Sequence, residues 1–154
     1  MITGIQHVGV CVSNLERSLA FYCGELGLKK VAQFEVPDGP EVAKVVDEIT
    51  GLPGTYFKAA MVQHGEGGEA TVVEMIQYVA PPGKPFPSDF QYNNIGITHV
   101  AFKVKGIEQM YQNLTSKGVK FNSAPRLMEI KEMGSIKIAY FKDPDGITLE
   151  LIEY

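Results

Sequence analysis

No apolar run in this chain approaches the roughly 20 residues that a hydrocarbon core demands, so a membrane span is not expected. The N-terminus shows neither a basic n-region nor a small-residue cleavage site and passes at once into a strand-like pattern, so a cytoplasmic protein is expected. Positive charge is also scarce. With 14 Lys and Arg against 18 Asp and Glu the net charge is -4, and the lysines are scattered rather than striped, which speaks against a nucleic-acid partner. Cysteine occurs only at Cys11 and Cys23, without framework spacing, which suits reduced, buried thiols better than a disulfide. What remains is an ordinary globular composition, 45% hydrophobic and 21% charged over 154 residues, enough for one domain or two small fused modules.

The sequence then repeats itself. Ile5-Gln6-His7-Val8-Gly9-Val10 returns as Ile97-Thr98-His99-Val100-Ala101-Phe102, and Val72-Val73-Glu74-Met75-Ile76-Gln77-Tyr78 returns as Thr148-Leu149-Glu150-Leu151-Ile152-Glu153-Tyr154. An internal repeat implies a duplicated structural unit. His7 and His99 hold one repeated position, and Glu74 and Glu150 the other.

Periodicity places these residues. Residues 5–12 read as a strand, and Ser13-Asn14-Leu15-Glu16 has the S-x-x-E form of a capping box. The helix that follows has Leu15, Leu19 and Phe21-Tyr22 on its apolar face, with Gly24 and Gly27 as candidate stops before a strand over 28–36. Strands over 55–63 and 70–79, joined by the turn His64 to Gly68, complete a β-α-β-β-β module. The order recurs from Ile97: a strand over 97–104, a helix over 106–117, and strands over 119–122, 126–131, 136–142 and 147–153, the last two joined by Asp143-Pro144-Asp145-Gly146. The expected division is 1–80, a proline-rich linker over 81–96, and 97–154. Surplus length in the first module falls at 37–54, where Pro40 opens a helix, Val42, Val45, Val46 and Ile49 line one face, and Gly51 ends it. This insertion reads equally as a substrate lid or as a surface element packing on its own face.

A His or Glu inside an apolar strand points into either the core or a cavity. A buried carboxylate without a partner must shift its pKa or find a cation. Two carboxylates and two imidazoles at matched positions are most simply explained by one shared divalent metal, with a position or two left for water or substrate. Each residue alone would read as a satisfied core or edge residue; the repetition favours the metal site. His64 has no repeat partner and reads as a loop residue.

The chain resembles the vicinal oxygen chelate superfamily, which includes glyoxalase I, methylmalonyl-CoA epimerase, extradiol dioxygenases and fosfomycin and bleomycin resistance proteins. The residues that carry the resemblance are His7-Val8-Gly9-Val10 with Ser13 to Ser18 and Phe21-Tyr22, then His99-Val100-Ala101-Phe102, and the ending Tyr140 to Gly146 with Glu150-Leu151-Ile152. It implies an α+β fold of two tandem βαβββ modules, a cupped mixed sheet around a metal cavity, with His7, Glu74, His99 and Glu150 as ligands of one divalent ion, Zn, Ni, Co, Mn or Fe. It also implies a small-molecule substrate chelated through neighbouring oxygens, and modules that pair within one chain or swap between two copies, with a homodimer as the expected assembly.

The full His, Glu, His, Glu set is similar to glyoxalase I, which makes a lyase or isomerase working through a metal-stabilised enediolate or enolate the expected function, with Glu150 as the catalytic base and Glu74 as the other candidate. Leu28-Lys29-Lys30, with no arginine after the first helix, and Met75-Ile76-Gln77 after Glu74 speak against glutathione. The epimerase branch has Gln at the Glu74 position and an early carboxylate base where Phe57-Lys58 stands here. A ring-cleaving Fe(II) dioxygenase, the first alternative, uses two His and one carboxylate, so Glu74 would consume a position it needs. A metal-free resistance protein would have no use for the four ligands. Substrate choice is expected to involve 37–54, Tyr56, Phe57, Met61, Arg126, Leu127 and Met128.

Overall fold

The computed structural model describes residues 1–2, 4–65 and 71–154. They form two compact units, Met1–Pro85 and Phe86–Tyr154. The first runs β1 (His7–Cys11), α1 (Leu15–Leu19) continued by a π-helical turn over Ala20–Glu25, β2 (Lys29–Val36), α2 (Pro40–Thr50), β3 (Tyr56–Gln63) and β4 (Val72–Ala80). The second runs β5 (Val100–Lys103), α3 (Ile107–Ser116), β6 (Arg126–Ile130), β7 (Gly134–Lys142) and β8 (Thr148–Glu153). Each unit holds a four-stranded sheet, in the orders β1-β4-β3-β2 and β5-β8-β7-β6. In both, the first strand lies parallel to the last and the remaining pairs are antiparallel. The α+β tandem repeat expected from the sequence is the architecture observed.

Alternation along the repeated last strand separates two faces. Gln77 on β4 accepts the Leu15 N–H at 2.8 Å, and Glu153 on β8 accepts those of Gly106 at 2.5 Å and Ile107 at 3.3 Å. These side chains cap α1 and α3, which fixes the helix-covered face of each sheet. Leu15, Leu19 and Tyr22 pack there in the first unit; Ile107 and Leu114 do so in the second, with Phe141, Leu149 and Leu151 also buried. Each such side chain contributes roughly 1.5–3 kcal/mol by leaving water. Glu74 and Glu150, three residues before the caps, fall on the opposite, helix-free face. Among the described residues no helix is long and apolar enough to cross a membrane.

Several local expectations need correction. The α1 cap is Asn14, whose Oδ1 accepts the Arg17 N–H at 2.9 Å, while Ser13 Oγ accepts from the Arg17 guanidinium at 2.8 Å. Asn and Ser cap equally well, so the S-x-x-E pattern is displaced by one residue. Helical winding passes through Gly24, because Leu26 N–H bonds Phe21 O across five residues, and ends before Gly27 at φ 77°. Residues 119–122 form no strand; Phe121 makes a single bridge to Phe141. The outer edge of β7 is already paired with β6 over Gly134–Ile138, which leaves only its far end for Phe121.

The 37–54 insertion does form a helix, closed by Gly51 at φ 67°. Its expected apolar face is not a buried one: Val46 is 5% exposed, but Val42, Val45 and Ile49 are 41%, 54% and 77% exposed. The helix rests against β2 and presents only Val46 inward. Cys11 is exposed rather than buried, because it follows His7 and Gly9 along the helix-free face of β1; both cysteines are free thiols. The turn expected at His64 to Gly68, and the start of the strand expected at 70, fall partly on 66–70, outside the described residues.

Candidate functional site

In the first unit His7 opens β1 and Glu74 lies on the adjacent β4, where Gly9 is its register partner. His7 Nε2 stands 3.3 Å from Glu74 Oε2, with the imidazole 42% and the carboxylate 15% exposed. In the second unit the register partner of Glu150 is Ala101, again two residues after the histidine. His99 Nε2 stands 2.9 Å from Glu150 Oε2, with exposures of 31% and 7%. The sequence repeat is therefore a geometric repeat: one imidazole at or just before the start of the first strand and one carboxylate on the parallel last strand, on the face away from the helix.

The other ring nitrogen is also held in the same way in both units. Gln6 Oε1 meets His7 Nδ1, and Thr98 Oγ1 lies 2.8 Å from His99 Nδ1. An amide oxygen only accepts, so His7 donates from Nδ1 and, when neutral, carries its lone pair on Nε2. That lone pair faces a carboxylate oxygen. Two acceptors in contact require a positive centre between or beside them, either a proton on Nε2 or a cation. Nitrogen and oxygen ligands about 2.0–2.2 Å from one cation stand roughly 2.8–3.6 Å apart at angles between a right angle and a tetrahedral one. Both pairs meet that spacing, and their hard and borderline donors suit a first-row divalent ion.

Among the described residues no three or more His, Cys, Asp or Glu side chains stand together as a metal-holding group. What the structure brings together is His7 with Glu74, and His99 with Glu150. Burial pushes the Glu150 carboxyl up, and His99 pulls it back down. Burial and the neighbouring Glu150 push the Tyr140 phenol up, and burial, Cys11 and Glu74 do the same to Tyr78.

The surroundings of the two pairs differ. Around Glu74 the helix-free face carries Ile76 and Tyr78 on β4 and their register partners Ala59 and Phe57 on β3, with the Phe57 and Tyr78 rings 5.5 Å apart. Around Glu150 it carries Tyr140, whose ring meets His99 edge-on at 5.3 Å and Tyr92 at 5.4 Å. Of the residues expected to shape substrate choice, Phe57 and Met61 lie on this face as the register partners of Tyr78 and Glu74. Tyr56 instead donates to Glu35 on the opposite face. Arg126 and Met128 pair with Ile138 and Ile136 on the helix-free side, and Leu127 faces away. Gln6, Thr98, Tyr92 and Tyr140 were not singled out by the sequence. Gln6 and Thr98 had a signal, since both immediately precede the repeated histidines.

Comparison with known proteins agrees with the tandem architecture. Residues 4–151 match the model of the Glyoxalase/Bleomycin resistance protein/Dioxygenase superfamily. The chain is 27% identical over 147 residues to a "Probable lactoylglutathione lyase" of Synechocystis, covering 96% of this chain and 92% of that one. It is 25% identical over 149 residues to a lactoylglutathione lyase of Neisseria meningitidis, covering 96% and 88%. Its fold is similar to that of a glyoxalase family protein from Bacillus cereus, with a TM-score of 0.81 at 22% identity, covering 99% of this chain and 95% of that one.

Proposed function

Since the chain belongs to the Glyoxalase/Bleomycin resistance protein/Dioxygenase superfamily, we propose that it is a divalent-metal-dependent lyase or isomerase acting on a small oxygenated substrate. The observation that carries this reading is the His–Glu pair, made twice with one register and one pattern of Nδ1 support. In this proposal His7, Glu74, His99 and Glu150 hold the ion together, each unit supplying one imidazole and one carboxylate. Its bound charge would polarise a substrate carbonyl and lower the cost of a carbanion at the neighbouring carbon.

The residues of the chain do the rest. Gln6 and Thr98 orient the imidazoles through Nδ1, and the Gln6 amide oxygen, which only accepts, leaves the His7 lone pair on Nε2. Glu150, almost enclosed and 2.9 Å from His99 Nε2, moves the proton between adjacent carbons, and Glu74 is the alternative carrier. The aromatic pair Phe57–Tyr78 offers an apolar wall beside Glu74. The pairing of Glu74 with His7 supports a four-ligand site over the three-ligand arrangement of an Fe(II) dioxygenase. Similarity to lactoylglutathione lyases supports the glyoxalase type of chemistry, while Leu28-Lys29-Lys30 speaks against glutathione as the thiol carrier.

The test is deuterium wash-in from D2O at the carbon next to the carbonyl, followed by NMR on the metal-loaded protein with α-hydroxy-carbonyl and acyl-thioester probes. Wash-in that falls by about a hundredfold or more in Glu150→Gln is the expected result. Wash-in with none of the probes, or wash-in unchanged in Glu150→Gln, would refute the assignment.

A further inference from the structure

The second unit carries a lysine that the proposed proton transfer does not use. Lys142 is the last residue of β7, two positions beyond Tyr140, and its register partner Thr148 lies two positions before Glu150. Residues two apart on a strand share a face at a spacing of roughly 6.5–7 Å. Lys142 is therefore on the helix-free face, one step along the strands from Glu150.

Its surroundings are unusual for a lysine. The side chain is half-buried and donates to the enclosed Thr148 hydroxyl at 2.5 Å, with Nζ 5.3 Å from the centre of the Tyr92 ring. Tyr92 is itself fixed, because its hydroxyl accepts from Asn122 Nδ2 at 2.6 Å and its ring packs against Tyr140. Lys58 and Lys137 of the same protein each face a carboxylate, Glu35 and Glu108. Among the described residues no carboxylate lies within ion-pair distance of Lys142. A partly desolvated ammonium with one proton given to a hydroxyl and an aromatic face beside it has two donors left for an anion.

We propose that Lys142, positioned by Thr148 and Tyr92, is a specificity-determining residue that receives a carboxylate of the substrate. The substrate class that follows is a 2-oxo or 2-hydroxy acyl compound bearing a second carboxylate at the end of a short carbon chain. Its vicinal oxygens would face the His–Glu ligands and its far carboxylate the lysine. This inference rests on the metal-site reading above for the orientation of the substrate. Lys142 itself takes no part in bond making.

The experiment is a pairwise titration of the full chain, loaded with Co²⁺, with 2-oxoglutarate and with 2-oxopentanoate, which has the same chain length but no far carboxylate. Heat and the visible Co²⁺ spectrum are read together at about 0.15 M salt, where surface attraction is screened. Wild-type protein should prefer 2-oxoglutarate by roughly tenfold or more, the worth of one charge-assisted hydrogen bond. The preference should vanish in both Lys142→Met and Lys142→Gln and return in part in Lys142→Arg; the Gln variant can keep the Thr148 contact if Met disturbs the strand end. Equal binding of the two acids, binding of neither, or a preference that survives both variants overturns the proposal. Cobalt uptake separates the two readings. Protein that binds one Co²⁺ but shows no preference contradicts the lysine assignment alone, whereas a Lys142-dependent preference without Co²⁺ uptake contradicts the four-ligand site alone.

Discussion

A histidine with its Nδ1 tied to a neighbouring side chain differs from a free one: ring orientation is chosen before any cation arrives. For His99 that tie is Thr98 Oγ1. Thr98→Val keeps the shape and removes the tie, and it should weaken divalent-metal affinity by about 10–100-fold while leaving the melting temperature nearly unchanged. Competition with a chelating dye measures the affinity, and unchanged affinity would show that Thr98 does not orient the ring. His7, Glu74, His99 and Glu150 were legible in the sequence because the repeat singles out polar residues within apolar strands. Thr98 and Gln6 stand in the same repeat, but an amide and a hydroxyl do not look alike on paper; only geometry shows that both meet Nδ1. Lys142 was not legible either, since a lysine next to an Asp-Pro-Asp-Gly turn reads as solvent-facing.

Among the elements, one strand does two jobs on its two faces. Glu150 faces His99, while Glu153 on the other face caps α3. Glu153→Leu leaves two N–H groups at the helix start without an acceptor and should destabilise the protein by about 1–2 kcal/mol in urea titration, with metal affinity unchanged. Equal loss of metal affinity would mean that the two faces are coupled. Asp47 plays a comparable part for the insertion, accepting the Gly54 and Thr55 N–H groups at 2.8 Å each. These bonds hold its carboxyl below the ordinary value. A depressed folded-state pKa means that its contribution is complete above the ordinary aspartate pKa and is lost as pH falls through the lower folded value. Protection of the Gly54 and Thr55 amides, measured as exchange relative to the intrinsic rate at each pH, should therefore fall only at acid pH, and Asp47→Asn should remove that pH dependence; the same fall in the variant would assign it elsewhere. The helix over 40–50 was legible from Pro40 and Gly51, but the direction of its apolar side was not. Periodicity states which residues share a face, not whether anything lies against it.

At the scale of the whole molecule, the duplicated module explains both the similarity and the difference between the halves. Topology, register and the His–Glu pair are repeated, so the sequence repeat carried the architecture and the candidate ligands together. The faces around the pairs have diverged, apolar and aromatic beside Glu74, tyrosine- and lysine-bearing beside Glu150. That divergence lies between the repeated segments and depends on cross-strand register, which is why the sequence did not show it. The central claim is that two half-sites serve one ion. Elemental analysis of untagged, chelator-free protein, as purified and in Glu74→Gln and Glu150→Gln, tests it most directly. The account predicts about one divalent ion per chain in the wild type and a clear loss in each variant, although the two residues stand in different modules. No metal after reconstitution, or full occupancy retained in either variant, would contradict it.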